Sequence, residues 1–506
     1  MKNIIIIYLV LLFSISVKSS FAQISQNTVN MGLGGGGTAH LTGYEALFVN
    51  PANLFFQEKE YSSHFSLFQS AIHFDTLLPV SDNGIRFRRY YESMDYFRQN
   101  SSLREISDID KENIIETSFP GNRLTSEFAT LSDIHWFGIK WVRPERSYAI
   151  ALRTRAASRY EIGSGFFSPV PFESQGDTLV DQTLNYRYQN LHEISFGFAE
   201  SFTFLNGLIP HHSEFFVGIA PKIVLSGSYI ETEYMNNYRF NHNNDRWYQT
   251  QGFSQQTSGV LSDYPEQLFV DSSTESSPRH YVNDLFKPSG VGVGLDVGLT
   301  YVLTFGDEYF DLRQQRQGSG HLLRISMSLT DIGFIYYYKS PLTLQSGFIN
   351  TDSAELAPTS NYSFEGQPNQ QIAFLSQFDG FQNIAQTITS SSRNFETMLP
   401  MAFNFGTMYQ YKRIKLMGDI SYSIVNSAFN PSVFTSYFGI EVRPIRIIPI
   451  RFGTRLATQL QHYYSAGTGV ETKWFDINAS LLFRTDQGSL TSEIIGASMV
   501  SLKFYF

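Results

Sequence analysis

The chain contains no cysteine among its 506 residues. A disulfide framework, thiol catalysis, a zinc–thiolate site and a lipidated cysteine are therefore excluded. Charged residues are also scarce, at 16%, and their balance is acidic, with a net charge of −9 that argues against nucleic acid as a partner. Beyond residue 17, no apolar run approaches the roughly 20 residues that a membrane-spanning helix needs.

Aromatic residues, by contrast, are abundant: they make up 15% of the chain, with 29 Tyr and 45 Phe. Rings of this kind form the interfacial girdles of transmembrane β-barrels. The mean hydropathy of −0.17 is compatible with such a barrel, because its strands alternate lipid-facing with lumen-facing residues. The composition favours one large barrel with long loops over several soluble domains.

Residues 1–22 have the three parts of a secretory signal peptide. Lys2 precedes an apolar run from Ile4 to Val17, and the small-x-small sequence Ser20-Phe21-Ala22 follows. The mature chain is predicted to begin at Gln23. Export without a helical anchor leaves the periplasm, the outer membrane or the exterior as destinations.

The last stretch, Thr491 to Phe506, reads TSEIIGASMVSLKFYF. Alternate residues form one apolar face: Ile494, Val500, Leu502, Phe504 and Phe506. A soluble domain rarely ends on such a strand, because chain ends fray and an apolar edge invites aggregation. A barrel that pairs its last strand with its first has no such edge, so this stretch is predicted to close a barrel.

About 14 segments show the alternation of transmembrane strands. They are residues 65–74, 134–142, 148–155, 193–203, 215–228, 290–303, 322–332, 401–411, 416–425, 433–443, 447–456, 463–470, 474–484 and 491–506. Long connections, at 75–132, 156–192, 229–289 and 336–400, alternate with short ones, with the connection 305–321 as the exception. Because membrane barrels have short turns on one side and long loops on the other, both termini are predicted to lie on the periplasmic side.

A glycine run at residues 32–37 precedes Asn50-Pro51-Ala52-Asn53-Leu54. The run follows a cleavage site instead of a buried strand, so it is no nucleotide-binding fingerprint. Together the two motifs resemble the N-terminal hatch of FadL-type outer-membrane transporters, a superfamily that includes the PorV-like barrels of type IX secretion. The family element usually ends in Gly where this chain has Asn53, and Asn tolerates a left-handed backbone. An ordinary Asn-Pro turn is the alternative.

The resemblance extends to the C-terminal region, through Leu399-Pro400, the segment 449–453 and the segment 465–470. It implies an antiparallel transmembrane β-barrel of about 14 strands with an N-terminal lumenal hatch and long extracellular loops. The predicted division is a signal peptide at 1–22, a hatch or plug at 23–62 and the barrel at 63–506.

The resemblance also implies that ligands bind within the barrel, that the hatch moves, and that the ligand leaves sideways through a gap in the wall. The hatch residues Asn50, Pro51, Ala52, Asn53 and Leu54 are accordingly predicted as the gate. The apolar neighbours predicted to contact ligand or wall are Leu47, Phe48, Phe55 and Phe56. Sideways exit needs an interrupted strand, for which Pro221 and Pro449 are the candidates, although a proline bulge also occurs for structural reasons.

Charged residues on the non-lipid face of the strands are predicted to lie in the lumen. The set is Lys140, Arg153, Arg155, Lys222, Asp296, Arg324, Asp419, Glu441, Arg443, Arg451, Arg455, Asp476, Asn478 and Arg484. Charges inside a closed wall must pair or be hydrated. They form either a network that braces the hatch or a polar conduit centred on Arg451 and Arg455, which share one face of their strand.

Catalytic and metal sites are not predicted. No histidine pair stands at a metal-ligand spacing with a carboxylate, and no cofactor motif occurs. His192, Glu193 and Ser195 lie on one strand, where neighbours alternate faces, so they cannot assemble a catalytic triad.

The function predicted is passive uptake of a hydrophobic or amphipathic compound by a bacterial outer-membrane barrel. The alternative is a non-transporting barrel that docks exported or surface proteins in the PorV manner. The expected contacts are outer-membrane lipids and either a hydrophobic small molecule or a partner protein. A transporter predicts an apolar pocket beneath the loops, whereas a docking barrel predicts a lumen filled by charge pairs.

Overall fold

A computed structural model describes most of the chain. The described residues are 27–56, 63–74, 115, 119, 124–143, 145–166, 172–174, 177–202, 213–243, 245–259, 287–305, 321–353, 384, 386–430, 434–456, 462–485, 492–499 and 502–506. The predicted signal peptide, residues 1–22, therefore lies outside them, as do residues 23–26 and 57–62 of the predicted hatch and the whole of 354–383.

Fourteen antiparallel strands form a closed barrel. In chain order they are β1 His64–Phe74, β2 Thr125–Val142, β3 Arg146–Gly163, β4 Leu184–Phe202, β5 Ser213–Asn241, β6 Gly290–Thr304, β7 His321–Tyr337, β8 Ala402–Tyr411, β9 Ile414–Ser423, β10 Phe434–Ile445, β11 Ile448–Leu456, β12 His462–Glu471, β13 Phe475–Thr485 and β14, which comprises Ser492–Met499 and Leu502–Tyr505. The predicted fold class and strand count are confirmed.

The closing strand pairs with the first strand as well as with β13. On β1, Phe65 lies opposite Phe504 and Ser66 lies opposite Lys503. The rings of Phe65 and Phe504 stack at 5.2 Å between centroids on the outer face, while the side chain of Lys503 is buried inside. Pairing of β1 with β14 removes the open edges that an apolar terminal strand would otherwise present.

Alternation separates an apolar outer face from a polar interior. On β6, Val291 and Val293 are 43% and 54% exposed, whereas Asp296 and Thr300 are fully buried. The same two-residue period places inside those predicted lumen residues whose side chains are described, because aliphatic and aromatic side chains that suit lipid occupy the outer face.

The strands differ greatly in length between the two halves of the barrel. β2 to β7 have 15 to 29 residues, whereas β8 to β13 have 9 to 12. Spanning an outer membrane takes roughly 9–11 residues. The bounds predicted for the segments 148–155, 193–203 and 215–228 were therefore wrong, because alternation persists beyond the membrane into the predicted loops.

These extensions form a wall, the rim, above one side of the barrel. Shorter strands join it at Phe172–Ser174, Asp177–Asp181, Arg246–Ser258, Leu342–Gln345, Ile349–Ser353, Thr389–Ser391 and Phe395–Met398. A separate hydrophobic cluster holds the rim together, with Phe166, Leu184, Tyr234 and Phe253 all buried. The rim is thus a packed β-structure where a long loop was predicted.

Helical structure is confined to short turns. The helix α1 spans Thr28–Met31, and 3₁₀ turns span Tyr44–Phe48, Pro51–Phe55 and Ser164–Phe166. No helix among the described residues is long and apolar enough to cross a membrane. Residues 371–378, whose sequence is compatible with a short amphipathic helix, lie outside the part of the chain that the structure describes.

Candidate functional site: a hatch inside the barrel

Residues 27–56, called the hatch below, lie inside the barrel and are almost entirely buried. The Asn-Pro-Ala motif begins a 3₁₀ turn there. Asn50 is its N-cap and accepts a hydrogen bond from Ala52 N at 3.2 Å, while Pro51 occupies the first position, where its missing N–H costs nothing. The motif therefore folds by ordinary capping chemistry.

The two asparagines tie this turn to the rest of the molecule. Asn50 donates to Thr38 O and to Thr300 Oγ1 on β6, each at 3.0 Å. Asn53 donates to Thr38 O at 2.8 Å and accepts from Thr300 Oγ1 at 2.7 Å. Asn53 is not among the residues with positive φ, so the expectation of a left-handed backbone was wrong. An Asn suits this position because its amide bridges hatch and wall.

Small residues on the strands make room for the turn. A Cβ added at Gly298 on β6 would collide with Asn50 Oδ1, and one at Gly218 on β5 would collide with the backbone of Pro51 and Ala52. The turn thus lies directly on bare backbone, which is the close approach that only glycine permits.

The four apolar residues predicted to contact ligand or wall are all packed against the wall. Phe55 and Phe56 each lie 4.7 Å from the ring of Phe216, measured between centroids. Leu47 belongs to the same cluster, which small wall residues such as Ala149 and Ala220 complete. Phe48 lies beneath a guanidinium, at 4.7 Å from Arg153 Cζ. In this closed arrangement, each of the four residues contacts the barrel wall.

The glycine-rich part of the hatch packs on the opposite side of the barrel. Gly34 N donates to Ser465 Oγ at 2.9 Å on β12, and Thr38 N donates to Asp419 Oδ1 at 3.0 Å on β9. Gly34 has φ +90°, and a Cβ there would come within 2.6 Å of Thr454 O. Glycine is required at this position by conformation and by space.

A lower charged layer lies near those ends of β10 to β14 that short turns connect. Arg451 donates to Glu441 at 2.7 Å, to Asn478 at 2.7 Å and to Glu471 at 2.6 Å. Arg443 bonds the same two carboxylates, at 2.8 and 2.6 Å. A polar cavity of about 60 Å³ lies beside this layer.

Lysines fasten the hatch to the wall at this level. Lys503 on β14 forms an ion pair with Glu45 at 2.6 Å. Lys140 on β2 donates to the carbonyl oxygens of Thr42 and Phe56, each at 2.6 Å, and so grips the chain on both sides of the Asn-Pro-Ala turn.

The remaining predicted lumen residues are buried with identified neighbours. The guanidinium of Arg455 lies 4.3 Å above the ring of Tyr463, and that of Arg324 lies 4.0 Å above Phe56. Asp476 accepts from Tyr505 Oη at 2.5 Å. The side chain of Arg484 is not described. These contacts favour the bracing network over the polar conduit.

An upper charged layer belongs to β2 to β7. Arg153 makes a bidentate pair with Asp133 at 2.8 and 2.7 Å, and Arg155 makes one with Asp331 at 2.9 and 2.8 Å. Lys222 bonds Asp331 at 2.6 Å and Asp296 at 2.8 Å.

The sequence interpretation missed most of the acidic partners in both layers. Asp133, Glu193, Asp331, Glu471 and Glu45 were not in the predicted set. Strand parity could have found Glu193, which lies opposite Arg153 in the β3–β4 register. Asp331 was not accessible to this reasoning, because it sits at a bulge in β7 with φ +59°, where the two-residue period breaks.

A second segment fills the lumen from the outer side. Residues 424–430, between β9 and β10, fold inward and are called the outer plug below. Ala428 and Phe429 are only 6% and 5% exposed. Arg159 holds the segment through Asn426 Oδ1 at 2.9 Å and Ser427 O at 3.2 Å. The space where an apolar pocket was expected is therefore occupied by protein.

The wall has an interruption beside the hatch. The ladder between β4 and β5 pairs Ser195 with Lys222 and next Phe198 with Ile219, leaving two positions between them unpaired. Pro221 lies in this gap, and it has no N–H to donate. A Cβ at Gly197 in the same gap would collide with Leu47 and come within 2.6 Å of Leu54. Pro449, the other candidate, is the second residue of β11 and marks only the start of a strand.

Fold and site together define a transmembrane β-barrel of the outer-membrane type whose lumen is closed by an N-terminal hatch. Residues 72–480 match the model of a family of unknown function (DUF5723), and the chain belongs to that family. No curated protein matches the chain significantly. Within the described residues, no cluster of three His, Cys, Asp or Glu side chains is arranged to hold a metal ion.

Solved structures of similar barrels include two transporters of toluene. The Pseudomonas putida toluene transporter TodX is 10% identical, with a TM-score of 0.43 and coverage of 96% of this chain and 99% of its own. The Ralstonia pickettii toluene transporter TbuX is 12% identical, with a TM-score of 0.41 and coverage of 96% and 100%.

A Pseudomonas aeruginosa FadL homologue is also similar, at 9% identity and a TM-score of 0.36, over 96% of this chain and 98% of its own. FadL-type barrels, which the sequence resembles, are thus among the solved structures similar to this chain.

Proposed function

We propose that the protein mediates passive uptake of a hydrophobic or amphipathic compound across a bacterial outer membrane, with the hatch as its gate. The observation that carries this proposal is the gap between β4 and β5. It combines a missing stretch of ladder at Pro221 with a wall that is reduced to Gly197 and Ala220 on its inner face. The apolar side chains of Leu47 and Leu54 lie directly behind it.

In this proposal the ligand enters past the rim, displaces the hatch and leaves sideways through the gap into the lipid layer. Retreat of Leu47 and Leu54 would open a passage between apolar hatch and lipid without exposing the ligand to water, which suits a hydrophobic compound. Phe48, Phe55 and Phe56 would then line the route, and Asn50 and Asn53 would restore the closed position through Thr38 and Thr300.

The test restores the ladder at the gap. Pro221→Val restores a backbone N–H at a residue whose side chain already faces outward. Because β4 and β5 can then pair across the gap, uptake of labelled oleate or toluene should fall at least about tenfold. Uptake is measured in cells that lack their own channel for the probe. Pro449→Val is the matched control and should leave uptake within about twofold. Equal uptake by both variants would refute lateral exit at this gap.

Docking of a partner protein is the second candidate, and two observations favour it: the charge pairs that fill the lumen, as a docking barrel predicts, and the rim. The rim is a packed β-structure with its own hydrophobic cluster, and it projects from one side of the barrel only. Removal of the hairpin formed by the end of β5 and Arg246–Ser258 would separate the two functions. Loss of a co-purified protein with uptake retained would favour docking, and the reverse would favour transport.

A further inference from the structure

The hatch and the outer plug are joined by an unbroken chain of buried contacts. Phe429 of the outer plug lies under the guanidinium of Arg155, whose Cζ is 4.8 Å from the ring centroid. Arg155 Nε is 2.5 Å from Glu193 Oε1, and Glu193 Oε2 is 3.8 Å from Arg153 Nη1. Arg153 in turn covers the ring of Phe48 in the hatch.

Within this series of contacts, Glu193 lies between the two arginines and contacts both. It is fully buried on β4, whereas both arginines project from β3. Each arginine also makes a bidentate pair with another carboxylate, Asp133 for Arg153 and Asp331 for Arg155. Lys222 shares Asp331, but it has Asp296 as a second carboxylate. Glu193 is therefore not needed to neutralise either guanidinium, and its position between them suits a mechanical link.

We propose that the outer plug is a second gate and that Glu193 couples it to the hatch through Arg153 and Arg155. When the hatch withdraws Phe48, Arg153 loses the ring that packs it and can turn away. Glu193 then moves with Arg153 and away from Arg155. Arg155 loses its second carboxylate, and Phe429 loses the guanidinium that packs on its ring. The two ends of the lumen then open together, and a molecule in transit is not trapped between two closed segments.

This proposal rests on the proposed function for its purpose, but its test reads the position of the outer plug without any substrate. Because the native chain has no cysteine, a single introduced cysteine is the only thiol. Ala428→Cys places it in the buried outer plug, and Asn243→Cys, at an exposed rim position, controls for surface delivery. Labelling by a membrane-impermeant maleimide is timed on intact cells.

Phe48→Leu keeps an apolar side chain but removes the ring beneath Arg153. It should raise the labelling rate at position 428 about tenfold, a size typical of coupling between sites. Phe55→Leu makes the same change in a hatch residue that packs on Phe216 instead, and should alter the rate less than about twofold. In a Glu193→Gln background, Phe48→Leu and the native hatch should give the same labelling rate at position 428.

Three results would overturn the coupling: an unchanged rate in Phe48→Leu, an equal rise in Phe55→Leu, or a rise that persists in the Glu193→Gln background. Heat-resistant migration of the barrel verifies folding of every variant. If Glu193→Gln does not fold, Glu193→Asp replaces it, since the shorter carboxylate cannot reach both arginines. If uptake is normal but the labelling test fails, the coupling through Glu193 is refuted and the transport proposal stands.

Discussion

The two halves of the barrel hold the hatch in different ways. β2 to β7 are tall and present small residues, such as Gly218 and Gly298, to the Asn-Pro-Ala turn. β8 to β14 are short and hold the glycine-rich segment through polar and charged contacts, including the bond that Thr38 N donates to Asp419 Oδ1. The Asn-Pro-Ala turn therefore lies on a largely apolar surface, to which Asn50, Asn53 and Lys140 add directed bonds, whereas polar bonds to β9 and β12 fix the glycine-rich segment.

This difference indicates which part of the hatch is suited to move. Dispersion and apolar contacts carry no direction and re-form at many positions, whereas a bidentate or charge-assisted bond has one geometry. The gap at Pro221 lies in the tall half, beside the apolar part. The short half acts as the anchor in this interpretation, and the tall half as the side on which the gate opens.

The largest effect should come from the anchor. Arg451→Met leaves Glu441 and Glu471 buried with Arg443 as their shared partner, and should lower the free energy of unfolding by about 3–5 kcal/mol. Arg455→Met is the control on the same strand and face, and should cost less, because its guanidinium lies over Tyr463. Urea titration in lipid vesicles measures both. A loss below about 1 kcal/mol for Arg451→Met would show that the lower layer does not anchor the hatch.

The gate side should respond more weakly and more locally. Asn50→Ala removes donors to Thr38 and Thr300 and should cost the closed hatch about 1–3 kcal/mol, while the barrel strands keep their ladders. Hydrogen exchange of peptides covering residues 44–56 should accelerate, and exchange in β8 to β14 should not. Asn243→Ala, on the exposed rim, is the control. Acceleration spread evenly over all strands would contradict a separate gate.

The sequence was sufficient for the barrel because the relevant signals are local. Two-residue alternation located all 14 strands, and the closing strand carried its own apolar face. The ends of the tall strands at the rim were not predictable in the same way. Alternation continues without a break from the part of the strand that faces lipid into the part that packs on the rim cluster. The pattern at Tyr186 and Tyr234 is as regular as that at Val291.

The site was only partly accessible to sequence reasoning. The hatch motif could be located, and strand parity placed cations such as Arg153 and Lys222 inside the wall. Their pairing partners depend on which strands are neighbours and on the bulge at Asp331, which resets parity. The outer plug left no signal at all, because an inward loop of Ser, Ala and Phe resembles any other loop until the barrel encloses it.

The smallest predicted effect concerns the rim and its response to pH. Burial, with the nearby carboxylate of Glu161, raises the pKa of Asp181 at the edge strand Asp177–Asp181. A carboxyl with a raised pKa in the folded state binds its proton more readily there than in the unfolded chain, so it favours folding at low pH. That contribution is lost as the pH rises through the folded-state pKa.

Asp181→Asn keeps an oxygen at Oδ1 to accept from Thr183 N but carries no charge. At neutral pH it should therefore stabilise the rim slightly, by less than about 1 kcal/mol, and it should flatten the pH dependence of rim exchange between pH 4 and 7. Hydrogen exchange of peptides covering 177–202 provides the measurement, with peptides from β8 to β11 as the internal reference. A native rim that becomes more protected as the pH rises, with no such pH dependence in Asp181→Asn, would contradict this prediction. The strand Asp177–Asp181 would then be held by its backbone pairing to β5 and to Phe172–Ser174.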